Sequence, residues 1–196
     1  KNVIFDIGNV LLDFCWKDHI ARFGFQGEKA DRIAQAMMLG PIWPKLDLGL
    51  ESDEDILEQF VAHTPELEQE IRLVFSDLST IVREYEGSVD WIESLKARGY
   101  HTYYLSNYGE RIRREASKEL SFLSHMDGGI MSYTVHLAKP DPAIYQTLLD
   151  RYGLKAEECV FLDDTVRNVE AAQALGIAGI VVTSQEQAKK ELETLL

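Results

Sequence analysis

Short apolar or β-branched runs recur along the chain at Val3-Ile4-Phe5, His101-Thr102-Tyr103-Tyr104-Leu105, Val160-Phe161-Leu162 and Ile180-Val181-Val182, with a weaker one at Gly129-Ile130-Met131-Ser132. Stretches of helical spacing separate them, an alternation that predicts parallel strands joined by helical crossovers, hence the α/β class. One crossover is marked at both ends: Asp141 can cap a helix over 142–152, Pro142 suits its first turn, and Gly153 suits its exit. The run 185–196 mixes charged and apolar residues as a terminal amphipathic helix does.

Between about Phe14 and Tyr85 the pattern changes. No buried strand is evident there, and apolar residues such as Ile56, Leu57, Phe60 and Val61 recur at helical spacing. Ser52 before Asp53, Glu54 and Asp55 reads as a helix start, with Gly49 turning the chain ahead of it. The expected organisation is a core of residues 1–13 and 86–196 with an all-helical insert, 14–85, over the strand ends, where a lid would exclude water. Trp43, between Pro41 and Pro44, is expected to pack the insert's own core.

With 196 residues, 45% of them hydrophobic, the chain can form one well-packed domain plus a modest insertion. Its formal charge of −13 argues against nucleic acid and anionic membranes as partners, so an anionic small substrate must be held by local positive charge. Cys15 and Cys159 are far apart in sequence and are expected to be free thiols, as suits the cytoplasm. No charged-then-apolar leader and no membrane-length apolar stretch is evident, and neither repeats nor low-complexity segments occur. Oligomeric state is not legible.

Asp6 ends the first apolar run and opens a turn. Ionised Asp is seldom buried unless paired, metal-bound or catalytic, and parallel sheets bind ligands at the carboxyl ends of their strands. Later strand ends bring Ser106-Asn107 and Asp163-Asp164, while Lys139 lies on the loop before the Pro142 helix. Taken singly, these are ordinary caps, turns or a solvated lysine. Together, a nucleophile, a hydroxyl, a cation and an acidic pair make a phosphoryl-transfer site. His136 reads as a surface or packing residue, and Arg111, Arg113 and Arg114 spread around a helix as a solvated face does.

The segments Phe5-Asp6-Ile7-Gly8-Asn9-Val10-Leu11, Leu105-Ser106-Asn107, Lys139-Pro140-Asp141-Pro142 and Phe161-Leu162-Asp163-Asp164-Thr165-Val166-Arg167-Asn168 resemble the four motifs of the haloacid dehalogenase superfamily, in its phosphatase-like subgroup with a small helical cap after the first strand. The resemblance covers essentially the whole length and implies a Rossmann-like parallel sheet flanked by helices. It also implies that Asp6 attacks phosphorus to form an aspartyl-phosphate, and that Mg²⁺ is held by Asp6, Asp164 and the main-chain carbonyl of Gly8. Ser106 and the Asn107 amide would bind phosphoryl oxygens and Lys139 would supply fixed charge, with Asp163 and Asn168 orienting Asp164 and metal-bound water.

Most phosphatases of the superfamily carry an Asp two residues after the nucleophile, where this chain has Gly8. The carboxyl that protonates the leaving oxygen and later activates water is therefore missing, a contribution of roughly 10²- to 10⁴-fold. Asp13, His19 and the substrate itself are the candidate substitutes. The expected activity is Mg²⁺-dependent hydrolysis of small phosphomonoesters of the sugar-phosphate type. The alternatives are a metal-independent haloacid dehalogenase, which Asp163-Asp164 opposes because acids facing Asp6 repel it unless a cation intervenes, and a catalytically weak phosphate-binding protein.

Overall fold

All five apolar runs form strands. The computed structural model describes residues 1–196, with the elements β1 (Asn2–Phe5), β2 (Leu12–Phe14), α1 (Trp16–Arg22), α2 (Gly27–Ala36), α3 (Pro44–Leu48), α4 (Asp53–His63), α5 (Glu68–Phe75), β3 (Val82–Glu84), α6 (Ser88–Ala97), β4 (His101–Ser106), α7 (Glu110–Glu115), β5 (Gly128–Met131), α8 (Pro142–Tyr152), β6 (Cys159–Asp163), α9 (Val166–Ala174), β7 (Ala178–Val181) and α10 (Gln185–Leu195). Five strands make one parallel sheet in the order β5-β4-β1-β6-β7.

Both sheet faces are covered, which explains why the strands read as continuous apolar runs. Along β1 successive side chains point to opposite faces: Val3 and Phe5 enter a cluster of 40 buried residues, and Ile4 enters a second cluster of 12. The larger cluster runs from α6 and α10 through Ile7, Val10 and Leu11 into α2, α4 and α5, so the helical segment shares one apolar core with the sheet. The predicted helix signals hold: Asp141 accepts from the Ala143 amide at the start of α8, Ser52 accepts from the Asp55 amide at the start of α4, and Gly49 and Gly153 leave their helices left-handed.

The segment 14–85 is not free of strand. β2 and β3 form an antiparallel ribbon, Leu12 opposite Glu84 and Phe14 opposite Val82, through which the chain leaves the sheet for the helices and returns. Each strand has three residues and is partly exposed, too short for a period to show. The solvated face expected around Arg111 also needs correcting: its guanidinium lies 4.2 Å from the centre of the Phe75 ring and pairs with Glu115 at 2.8 Å, tying α7 to α5. Cys15 and Cys159 are buried free thiols, and no helix is long and apolar enough to cross a membrane.

Candidate active site

β1 is the central strand, and its register sets Phe5 beside Tyr104 of β4 and Leu162 of β6. The next residues, Asp6, Leu105-Ser106 and Asp163, therefore emerge at one edge, and the Asp6 amide continues the ladder to the Leu162 carbonyl at 2.8 Å. The turn after Asp6 is tight. Asn9 adopts φ 56°, a left-handed conformation that Asn tolerates better than most side chains, and its side-chain amide donates to Asp164 Oδ2 at 2.9 Å.

Asp6 Oδ1 accepts from the Ile7 amide at 2.7 Å, from Ser106 Oγ at 2.7 Å and from Lys139 Nζ at 2.9 Å, whereas Oδ2 receives no bond from the protein. Lys139 Nζ also meets Asp163 Oδ2 at 2.6 Å, so one buried ammonium bridges two buried carboxylates. Asp163 is held further by the Thr165 amide at 2.7 Å and by Asn168 Nδ2 at 3.1 Å. It thus reaches Lys139, where the resemblance pointed it and Asn168 at Asp164. Asn107 clips the lysine loop reciprocally, its Nδ2 donating to the Lys139 carbonyl and its Oδ1 accepting from the Lys139 amide.

Carboxylate oxygens of Asp6, Asp163 and Asp164 lie within 4.8 Å of one another. Lys139 offsets only one of their three charges. The donors are all hard oxygens, and those of Asp163 are already taken by Lys139, Thr165 and Asn168, which leaves Asp6 and Asp164 as the pair suited to a hard divalent cation such as Mg²⁺. Burial, with the nearby charge of Asp163, lifts the Asp6 carboxyl to about 6 against the opposing pull of Lys139 and Ser106, while the two carboxylates hold the Lys139 ammonium above its ordinary range despite burial.

Over these strand ends lies a cavity of about 210 Å³. Asp6, Gly8, Asn9, Asn107, Asp164 and Thr165 form its polar side; Leu12, Phe14, Trp43, Val82, Tyr108 and Ile112 form an apolar wall. Trp43 has both roles open to it, packing near Phe14 and Phe60 while lining the cavity. The structure adds residues the sequence did not flag: Asn9, Asp47 on α3, and Tyr108, whose buried hydroxyl has no partner. Asp13 and His19 do not line the cavity; Asp13 accepts from the Cys15 thiol, and both His19 nitrogens are engaged by Thr80 and the Val74 carbonyl. His136 lies on the surface, bonded to the Leu48 carbonyl at 2.8 Å.

Fold and strand-end carboxylates together define a Rossmann-like α/β protein with an acidic centre. Residues 1–176 match the family described as "Hydrolase: haloacid dehalogenase-like hydrolase", and the chain belongs to that family of enzymes. It is 32% identical over its whole length to mouse acyl-CoA dehydrogenase family member 10, of which it spans 19%. The chain spans about a fifth of the length of the first curated relatives it matches. It is 25% identical to a sesquiterpene phosphatase of Aspergillus oryzae, covering 100% of this chain and 96% of that one. Among solved structures, a HAD family enzyme from Bacteroides thetaiotaomicron in complex with magnesium and inorganic phosphate superposes with a TM-score of 0.70 at 22% identity, covering 92% of each chain.

Proposed function

We propose that this hydrolase is a Mg²⁺-dependent phosphatase of small phosphomonoesters that works through an aspartyl-phosphate on Asp6. The carrying observation is the cluster of Asp6, Asp163 and Asp164, with Lys139 paired to the first two, beside a cavity that Asp6 and Asp164 line. A metal-independent dehalogenase has no need of Asp164 there, and three acids against one lysine are unfavourable without a further cation.

Three donors converge on Oδ1 of Asp6, which fixes the carboxylate for attack on phosphorus and leaves Oδ2 without a protein partner. Lys139 stabilises negative charge on Asp6 and on the phosphoryl oxygens. Ser106 holds the nucleophile before reaction and turns to a phosphoryl oxygen once Asp6 has reacted, with the Asn107 amide as a second donor. Asp6, Asp164 and the Gly8 carbonyl would hold Mg²⁺, which when bound neutralises charge gathered on the phosphoryl group. Asp163 and Asn168 keep Lys139 in place.

Residues 14–85 act as a cap over the core of 1–13 and 86–196, and the apolar wall selects the leaving group. The polar and apolar sides of the cavity support a small phosphorylated metabolite as the substrate, either of the sugar-phosphate type or with an apolar face, as the name of the Aspergillus relative suggests. Buried free thiols suit the cytoplasm.

The test is phosphate release from a panel of sugar, aryl and isoprenoid monophosphates, with Mg²⁺ and with chelator. Metal-dependent release that disappears in Asp6→Asn is expected. Halide release from 2-haloacids that persists in chelator would replace this reading with the dehalogenase, and ligand-induced stabilisation without product would replace it with a binding protein.

A further inference from the structure

Gly8 occupies the position where a carboxyl-bearing side chain would serve as proton donor, and a Cβ built there meets nothing within 4 Å. The backbone has room for a side chain that the sequence does not supply, so the proton must come from elsewhere. Four titratable side chains line the cavity: Asp6, Asp47, Tyr108 and Asp164. Asp6 is the nucleophile. Asp164 is held by Asn9 and belongs to the metal pair, and burial pushes the Tyr108 phenol far above its usual range.

Asp47 remains, and no hydrogen bond or ion pair engages its carboxyl. Its backbone, in contrast, is fastened to the core. The Asp47 carbonyl accepts from Ser132 Oγ, and the next carbonyl, that of Leu48, accepts from His136. Gly49 packs against Tyr133 so closely that a Cβ would stand 2.9 Å from the Tyr133 Cβ, and Leu46 abuts Gly109 just beyond Asn107. A free carboxyl on a docked backbone, lining the same cavity as the nucleophile, is unusual for a solvated helix face.

We propose that Asp47 is the general acid and base of the reaction, replacing from the α3 wall the carboxyl missing at Gly8. This rests on the phosphatase reading above and supplies the residue that reading lacks. In the first step the Asp6 carboxylate bonds to phosphorus, the bond from phosphorus to the ester oxygen breaks, and the Asp47 proton passes to that oxygen, releasing the alcohol. In the second, the Asp47 carboxylate takes a proton from water, whose oxygen bonds to phosphorus as the bond to Asp6 breaks. Inorganic phosphate leaves, and Asp47 is again protonated.

Its protonation behaviour suits both steps. Burial and the charge of Asp6 lift the Asp47 carboxyl to about 7 against the pull of Lys139, so both forms are populated at neutral pH. Of the titratable groups around α3, Tyr108 lines the same cavity, His136 is bonded to the Leu48 carbonyl, and Lys45 is paired with Glu51 at 3.3 Å.

The test compares wild type, Asp47→Asn, Asp47→Glu and Asp6→Asn on an alkyl phosphate and on p-nitrophenyl phosphate, whose leaving group departs without a proton. Asp47→Asn is expected to lose about 10²- to 10⁴-fold on the alkyl ester. On the aryl ester it should give a burst of nitrophenolate, then stall with Asp6 phosphorylated, visible as added mass on the intact protein. The limb near pH 7 in the wild-type profile should vanish in Asp47→Asn and return in Asp47→Glu, an outcome that loss of folding cannot imitate. Wild-type turnover in Asp47→Asn, or equal losses on both esters with no phospho-enzyme, would overturn the assignment. A wild type that releases phosphate from neither ester would instead overturn the phosphatase reading itself.

Discussion

Lys139 meets two carboxylates, and the arrangement is stable because each partner has other donors: Ile7 and Ser106 for Asp6, Thr165 and Asn168 for Asp163. A buried ion pair contributes only when its remaining lone pairs are satisfied in this way. His19 is the opposite case, a buried ring kept neutral. Its Nε2 donates to the Val74 carbonyl and its Nδ1 accepts from Thr80, whose hydroxyl oxygen in turn accepts from Arg22. Burial lowers its affinity for a proton below the ordinary value of 6.5. Below that pH the unfolded chain binds a proton that the folded chain resists, so this contribution to stability is present above 6.5 and is lost as pH falls through the folded value. Urea melts at pH 7.5 and pH 5.5 are expected to show a smaller acid loss in His19→Gln than in wild type; equal losses would mean the ring titrates freely. Asp6, Lys139 and Asp163-Asp164 were legible because each lies in a short local motif beside a strand or helix signal. Asp47 was not: in Trp43-Pro44-Lys45-Leu46-Asp47-Leu48 it reads as one more charged residue on a short helix, and only tertiary packing brings it to Asp6.

At the scale of elements, α3 is the joint between helical segment and sheet. It has five residues, too few to be stable alone, and its place depends on contacts with the turn at 132–134 and the loop at 107–109. Gly49→Ala would put a side chain at φ 61°, with its Cβ 2.9 Å from that of Tyr133. A stability loss of at least ~1–2 kcal/mol is expected in denaturant melts, together with lower phosphate release as Asp47 shifts. Unchanged stability and turnover would show that α3 is not held there. The strands of the sheet and the helices α4, α8 and α10 could be read in advance, since burial on both faces and capping side chains leave local marks. β2 and β3 could not, because three-residue strands are defined by their partner across the ribbon, and that pairing lies about seventy residues away in sequence.

At the scale of the whole molecule, a charge of −13 surrounds a site that, on the phosphatase reading, takes an anion. Distant carboxylates slow the approach of a dianionic ester, and salt screens them more than it screens Lys139, which is buried against its partners. Raising ionic strength from about 0.01 to about 0.15 M shortens the screening length from ~30 to ~8 Å. At saturating Mg²⁺, kcat/KM is therefore expected to rise with salt while kcat stays level; a fall would mean that exposed positive charge governs capture.

The two-stranded ribbon has a consequence for descent. Phe14 and Val82 are cross-strand neighbours, so the whole helical stretch begins and ends side by side on the ribbon, which starts six residues after Asp6 at Leu12. Such a stretch can be exchanged, lengthened or trimmed between lineages without moving the nucleophile. Here the stretch would carry the proton donor with it, so selection on the insert would act on substrate choice and reaction rate together.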